Sequence, residues 1–106
     1  MPIKVLIVDD NAAFRRIARG ALADRGYDVV AEAQTVAEAR TAVAESSPDA
    51  VLLDVNLPDG NGIALAGELS GSVRVLLTSS EEAATGTTPF IRKTDLLLVD
   101  LAPYLG

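Results

Sequence analysis

The stretch that most limits how this chain can fold is Ala50–Asp54, in which four apolar residues are followed by a carboxylate. Because no polar side chain alternates with the apolar ones, the stretch predicts a strand buried on both faces, as in a parallel sheet. Residues 55–62 are rich in turn formers, so the strand ends at Asp54. Ligands bind outside the carboxyl ends of such strands, which favours a chemical role for Asp54. The alternative is that Asp54 only caps the turn with its side chain.

The rest of the chain alternates between strand and helix patterns. Apolar, β-branched runs predict further strands at 3–8, 27–32, 73–78 and 90–92. Helical spacing predicts helices at 12–25, from a Thr35 cap to about 45, and at 63–69. In the first helix, which Asn11 caps, Phe14 falls on the core-facing stripe and Arg15 on the outward face. This alternation predicts one α/β domain, residues 1–106, in which a parallel sheet carries helices on both faces.

The last third of the chain is less regular. Only eight residues, 81–88, lie between the end of the fourth predicted strand and Pro89, and they predict a turn or one helical turn. A final helix is predicted from a cap at Thr94 or Asp95 through Leu105. It contains more leucines than one core-facing stripe requires. Such a surplus is typical of burial against a partner, and a second copy of the chain, forming a homodimer through this helix, is one such partner. The alternative is that the helix fills the space beside the short 81–88 segment.

Composition argues against several classes of function. The 106 residues include 9 Lys and Arg against 15 Asp and Glu, a net charge of -6 that argues against direct nucleic-acid binding. Without cysteine there is no disulfide or thiolate metal site, and without histidine there is no imidazole-based triad or histidine-ligated metal. No signal peptide and no apolar run long enough to span a membrane are visible, so we expect a cytoplasmic protein without a membrane partner.

Polar side chains stand at the ends of four of the predicted strands. They are Asp9 and Asp10, Asp54, Thr78, and Lys93. In a parallel sheet they meet at one edge, where crowded carboxylates repel one another unless a hard cation such as Mg²⁺ joins them. A carboxylate can also be the nucleophile of phosphoryl transfer. We therefore expect Asp9 and Asp10 to hold the metal, Asp54 to attack, and Lys93 and Thr78 to bind the phosphoryl oxygens.

In this order and spacing, the motifs make the chain resemble a response-regulator receiver domain of two-component signalling. The matching positions are Asp9-Asp10, Asp54, Pro58 and Gly62 in the loop that follows, Thr78, and Lys93. The resemblance implies a flavodoxin-like, doubly wound sheet of five parallel strands in the order 2-1-3-4-5. It also implies that Asp54 accepts a phosphoryl group from a partner histidine kinase or phosphotransfer protein, as part of a phosphorelay.

The resemblance further implies roles for individual residues. Mg²⁺ would be held by Asp10 directly, by Asp9 through water, by Asp54, and by the backbone carbonyl of Asn56. Phe90 matches the switch aromatic, which turns inward when the Thr78 hydroxyl swings towards the phosphoryl group. The domain would then change a surface that binds a downstream protein target, and would catalyse only its own phosphorylation and dephosphorylation rather than act as an enzyme.

Two departures from the family pattern keep other interpretations open. The 81–88 segment is too short for the usual fourth helix. In addition, Thr94 stands where many relatives have proline after the lysine, so the sequence does not decide whether the Lys93–Thr94 peptide bond is cis or trans. A pseudo-receiver, acting as a phosphorylation-independent binding or dimerisation module, is therefore the alternative. A phosphohydrolase related to haloacid dehalogenases is disfavoured. Those enzymes have a D-x-D pair after the first strand, whereas here Asp54-Val55-Asn56 follows the third predicted strand. With no output domain after Gly106, we expect the domain to act alone.

Overall fold

Five strands form one parallel sheet in the computed structural model, which describes residues 2–81, 83 and 85–106. They are β1 (Lys4–Val8), β2 (Asp28–Ala33), β3 (Ala50–Asp54), β6 (Arg74–Ser79) and β7 (Phe90–Arg92). The remaining strands, β4 (Asn56–Leu57) and β5 (Gly60–Asn61), form a small antiparallel hairpin. The order across the large sheet is β2-β1-β3-β6-β7. Counted among the strands of this sheet alone, that is the predicted order 2-1-3-4-5.

Four α-helices are described, and three of them begin at a side-chain cap. They are α1 (Ala12–Asp24), α2 (Val36–Ser46), α3 (Gly62–Leu69) and α4 (Ala102–Leu105). Asn11 accepts a hydrogen bond from the Phe14 N–H at 3.1 Å, and Thr35 accepts one from the Glu38 N–H at 3.0 Å. These bonds satisfy backbone donors that the first turn of a helix leaves free, so both predicted caps are confirmed.

Each face of the sheet is covered by its own apolar cluster. The first cluster packs residues of α2 and α3 against alternate residues of the strands, including Leu6, Val51, Leu53 and Leu77. The second packs α1 and the C-terminal segment against the other face, including Ile7, Leu52, Leu76 and Leu22. All five residues of β3 are buried. The prediction of a central strand buried on both faces, with helices on both sides, is confirmed.

The segment between β6 and β7 contains no helix among the residues that the structure describes there. Gly86 has φ +64° in a turn that the Thr85 side chain closes by donating to the Thr88 carbonyl at 2.9 Å. Glycine adopts this left-handed conformation without the steric cost that other residues have. The predicted turn is therefore present at 85–88, while the part of the 81–88 prediction that falls on Glu82 and Ala84 lies outside the described residues.

The predicted final helix through Leu105 is wrong as a continuous element. The chain instead forms a 3₁₀ helix at Lys93–Asp95, further turns, and the four-residue α4. Pro103 explains the break, because inside a longer helix it would lack the N–H that bonds to the preceding turn and its ring would clash there. In the first turn of a short helix the missing donor costs nothing.

The leucines of this C-terminal segment divide into two groups. Leu96, Leu101 and Leu105 are buried in the second cluster, whereas Leu97 and Leu98 are 58% and 81% exposed. The apolar surplus is thus explained in part by the core of the domain itself. The homodimer expectation invoked an apolar helix that is not formed, and the exposed apolar surface of this segment reduces to Leu97 and Leu98.

Candidate functional site

The predicted site residues meet at the carboxyl ends of four neighbouring strands. Asp9 and Asp10 directly follow β1, Asp54 is the last residue of β3, and Lys93 directly follows β7. Thr78 lies near the end of β6, opposite Asp54 in the register of the sheet. Asp9, Asp54 and Thr78 are buried, while Asp10 is exposed. Parallel strands that end in polar side chains therefore produce one polar edge, with its deepest groups shielded from water.

The ammonium group of Lys93 joins two of the carboxylates. Its Nζ lies 2.7 Å from Asp9 Oδ2 and 3.4 Å from Asp54 Oδ2, and the lysine side chain is only 16% exposed. Burial alone would lower the pKa of Lys93, but the close ion pair with Asp9 and the charge of Asp54 outweigh it and raise the pKa. Lys93 is therefore a fixed positive charge at this edge.

Burial also raises the pKa of the Asp54 carboxyl, and the neighbouring Asp9 charge adds to that effect. The Asn56 N–H, which donates to Asp54 Oδ1 at 3.2 Å, and the Lys93 ammonium act in the opposite direction. A buried carboxylate with few hydrogen bonds is poorly solvated. The two oxygens of Asp54 also differ in their surroundings, because Oδ1 lies beside a backbone donor and Oδ2 beside the lysine.

The three carboxylates are close enough to share a cation. Asp9, Asp10 and Asp54 can each offer an oxygen, and these atoms lie within 4.8 Å of one another. Carboxylate oxygens are the hard ligands that Mg²⁺ prefers, usually with several waters completing its coordination. One exposed and two buried carboxylates allow such waters on the Asp10 side. The residues present therefore fit a magnesium site.

The backbone around the carboxylates is held by several hydrogen bonds. The Asn11 N–H donates to Asp9 Oδ1 at 2.9 Å, and Val55 N–H donates to the Thr78 carbonyl at 2.9 Å. In addition, Gly62 N–H donates to the Val55 carbonyl at 2.8 Å, which draws the start of α3 against the end of β3. A Cβ at Gly62 would overlap the carbonyl oxygen of Asp54, so the close approach requires glycine.

Residues 5–93 match the model of the response regulator receiver domain family. This chain belongs to that family. Receiver domains are signalling modules of two-component response regulators rather than classical enzymes, and they interact with histidine kinases or phosphotransfer proteins. They generally bind Mg²⁺ at an acidic pocket, and this receiver domain contains a cluster of three aspartates, Asp9, Asp10 and Asp54.

Individual relatives agree with this assignment. The receiver domain is 50% identical over 68 residues to the DNA-binding transcriptional activator DevR/DosR of Mycobacterium tuberculosis, covering 63% of this chain and 31% of that protein. It is 35% identical over 83 residues to the chemotaxis protein CheY of Bacillus subtilis, covering 76% of this chain and 69% of CheY. The chain thus spans about a third of the length of DevR/DosR and most of CheY.

Solved structures agree as well. The signal receiver domain of the response regulator NarL from Mycobacterium tuberculosis superimposes with a TM-score of 0.79 at 27% identity, covering 91% of this chain and 90% of that one. In the described part of this receiver domain, no helix is long and apolar enough to cross a membrane.

The predicted switch residues lie on adjacent strands of the receiver domain. Thr78 faces Ile91 in the β6–β7 register, and Phe90 faces Leu77. The Thr78 hydroxyl is buried and has no hydrogen-bond partner among the described residues, while the Phe90 ring is partly buried against the first cluster. The motion of this pair stays a prediction, as does the metal role of the Asn56 carbonyl. All peptide bonds of the described residues are trans, including Lys93–Thr94.

Sequence reasoning missed two side chains of α1 that contact the site. The sequence places Phe14 on the core-facing stripe of α1, and its ring centroid also lies 4.7 Å from Lys93 Nζ. Arg15 was expected to face outward, but its Nη1 donates to the Asp9 carbonyl oxygen at 2.7 Å and its Nε contacts Glu32 at 3.1 Å. The available signal was position: the first turn of a helix that begins just after the acid pair must lie beside the site.

The hairpin after β3 is attached to α2 through Asp59. Its Oδ1 accepts from Val36 N–H at 2.7 Å, and its Oδ2 accepts from Ala37 N–H at 3.1 Å. These hydrogen bonds lower the pKa of Asp59. The first N–H groups of an α-helix have no partner within the helix, so a carboxylate from another part of the chain can cap α2. The hairpin that follows Asp54 is thereby linked to α2.

Asp59→Asn removes the charge and one of these two acceptors, so we expect a lower urea midpoint at neutral pH. A carboxyl whose pKa is lowered by folding stabilises the folded state above its unfolded pKa of about 4, and this contribution is lost as the pH falls through the folded pKa. The difference between wild type and variant should therefore shrink below about pH 4. Urea unfolding at several pH values measures it, with Asp28→Asn as the control for loss of an exposed carboxylate. Equal midpoints at neutral pH would contradict the capping role.

Proposed function

We propose that this receiver domain accepts a phosphoryl group on Asp54 from the phosphohistidine of a partner kinase or phosphotransfer protein. The observation that carries the proposal is the position of Asp54, buried within reach of a fixed ammonium and opposite a buried hydroxyl. Phosphoryl transfer needs positioning and charge neutralisation more than covalent chemistry from the protein. A nucleophilic carboxylate, a fixed ammonium and a hydroxyl donor are the kinds of group that such a transfer requires.

In this transfer a carboxylate oxygen of Asp54 attacks phosphorus and forms an acyl phosphate. The bond between phosphorus and the imidazole nitrogen breaks, and its electron pair stays on the departing histidine. The Lys93 ammonium, already 3.4 Å from Asp54 Oδ2, neutralises charge on the phosphoryl oxygens. The Thr78 hydroxyl, which has no partner among the described residues, donates to another of these oxygens.

The proposed metal ligands are Asp9, Asp10, Asp54 and the backbone carbonyl of Asn56. Mg²⁺ bound there supplies positive charge next to the incoming phosphoryl oxygens. Chelation with EDTA should reduce labelling of the protein by a small phosphodonor to background, and excess Mg²⁺ should restore it. Asp10→Asn should raise the Mg²⁺ concentration needed for half-maximal labelling. Labelling that persists in EDTA would contradict the metal role of these carboxylates.

The proposed output is a shift of Thr78 towards the phosphoryl group, accompanied by an inward turn of Phe90 that changes a surface for a downstream protein. A near-dianionic group on Asp54 needs hydrogen-bond donors, which gives the hydroxyl a reason to move.

Thr78→Val separates stability from switching. Because the variant removes a buried hydroxyl without a described partner, we expect the unphosphorylated fold to be as stable as wild type or more stable by about 1 kcal/mol. It should nevertheless lose the change in the NMR signals of Phe90 that beryllofluoride and Mg²⁺ induce in the wild type. Thr41→Val, on the exposed side of α2, is the control. A full Phe90 response in Thr78→Val would exclude the switch.

The second candidate is a phosphorylation-independent binding or dimerisation module. It is favoured by the helix-free described part of the 81–88 segment and by the exposure of Leu97 and Leu98. Sedimentation velocity with and without beryllofluoride and Mg²⁺ distinguishes the two candidates. Association that is equal in both conditions, together with full labelling of Asp54, would mean that the chemistry is intact and the output is uncoupled.

A further inference from the structure

Phe14 contacts the site from the side of α1. Its ring centroid lies 4.7 Å from Lys93 Nζ, within the distance at which an ammonium is attracted to the face of an aromatic ring. The residue is held in place by its helix, since its N–H is bonded to the Asn11 cap at 3.1 Å. The ring also packs against the second cluster, on the α1 face of the sheet. Its position relative to Lys93 is therefore set by rigid surroundings.

The ammonium of Lys93 lies among three groups that attract it. Asp9 Oδ2 is at 2.7 Å and Asp54 Oδ2 at 3.4 Å, and the ring of Phe14 is the third. The attraction between a cation and a ring grows as water is removed, and the lysine side chain is largely buried. A lysine has a long, flexible side chain that loses entropy when it is fixed. A ring beside the ammonium reduces the number of positions that the ammonium can occupy away from the carboxylates.

We propose that Phe14 is a positioning residue that holds the Lys93 ammonium at the phosphorylation site and thereby speeds phosphorylation of Asp54. This inference rests on the proposed function of Asp54. During transfer, Lys93 must neutralise the charge on the phosphoryl oxygens. A lysine that is already held beside the site of transfer needs no reorganisation during the reaction. Phe14 itself touches neither the phosphoryl donor nor the reacting atoms.

The test compares Phe14→Leu, which keeps an apolar side chain without a ring, with Phe14→Tyr, which keeps the ring. The rate of labelling by a small phosphodonor in saturating Mg²⁺ should fall roughly three- to tenfold in Phe14→Leu. The Tyr variant should stay within about twofold of wild type. Tyr104→Leu is the matched control, because Tyr104 is an aromatic residue packed against the same cluster in α4. It should leave the labelling rate unchanged.

Two further measurements separate positioning from a loss of stability. The ring of Phe14 should shift the NMR signals of the Lys93 ε-methylene protons upfield, and this shift should be lost in Phe14→Leu and kept in Phe14→Tyr. In a Lys93→Met background, Phe14→Leu should cause no further loss of rate, because Phe14 acts through the lysine.

Three outcomes would overturn the inference. They are an unchanged rate in Phe14→Leu, an equal fall in the Lys93→Met background, or ε-proton signals that do not respond to the ring. Wild-type protein that takes up no label would overturn the proposed function and this inference together. Labelled wild type with an unaffected Phe14→Leu would overturn the inference alone.

Discussion

Asp54→Asn should reduce labelling by a small phosphodonor in Mg²⁺ to background, while wild-type protein takes up an acid-labile phosphoryl group. The amide keeps the shape of the side chain but cannot act as the nucleophile. The fold should be retained, because the variant removes a charge that is poorly solvated in the buried site and leaves Lys93 paired with Asp9. Labelling followed by intact-protein mass spectrometry measures uptake, and thermal unfolding confirms the folded state.

The control for this variant is Asp28→Asn, which removes an exposed carboxylate at the start of β2. It should be labelled like the wild type. Labelling that persists in Asp54→Asn would mean that another residue is the nucleophile, and Asp9 and Asp10 are the nearest carboxylates. Such a result would contradict the proposed role of Asp54 but leave the family assignment intact.

Gly62→Ala should destabilise the domain by about 3 kcal/mol or more, because the added methyl group overlaps the carbonyl of Asp54. The overlap is with backbone rather than with the end of a flexible side chain, so either the end of β3 or the start of α3 must move. Where the end of β3 moves, Asp54 moves with it, so the labelling rate should fall as well. Urea unfolding measures the first effect and phosphodonor labelling the second.

Gly67→Ala is the matched control within the same helix. Apart from the backbone of its own helix and its chain neighbours, a Cβ at Gly67 would meet no atom within 4 Å, and alanine is favoured over glycine inside a helix by roughly 0.5–1 kcal/mol. This variant should therefore be slightly more stable than wild type and label normally. Equal stability of the two variants would contradict the close packing of Gly62 on Asp54.

Much of the fold could be predicted because its signals are local. The run Ala50–Asp54 lacks any alternating polar residue, which distinguishes a strand buried on both faces from one at the surface. The caps at Asn11 and Thr35 mark helix starts with a few residues each. In a parallel sheet, the clustering of Asp9, Asp54 and Lys93 follows from topology alone.

Other features depend on how elements approach each other, which no local pattern specifies. The ring of Phe14 reaches Lys93, 79 positions further along the chain, only because α1 and the end of β7 lie at the same edge. Asp59 caps α2 from a hairpin of another part of the chain. The predicted C-terminal helix is wrong for a different reason: the apolar content of the segment is compatible with a helix, but Pro103 is not tolerated in a helix interior.

The most direct test of the account is a structure of the domain with Mg²⁺ and beryllofluoride, which imitates the phosphoryl group. We expect the beryllofluoride on a carboxylate oxygen of Asp54, with the Lys93 ammonium and the Thr78 hydroxyl bonded to its fluorines and the metal among Asp9, Asp10 and Asp54. An adduct on another residue, or one on Asp54 with Lys93 and Thr78 both turned away from it, would contradict the account.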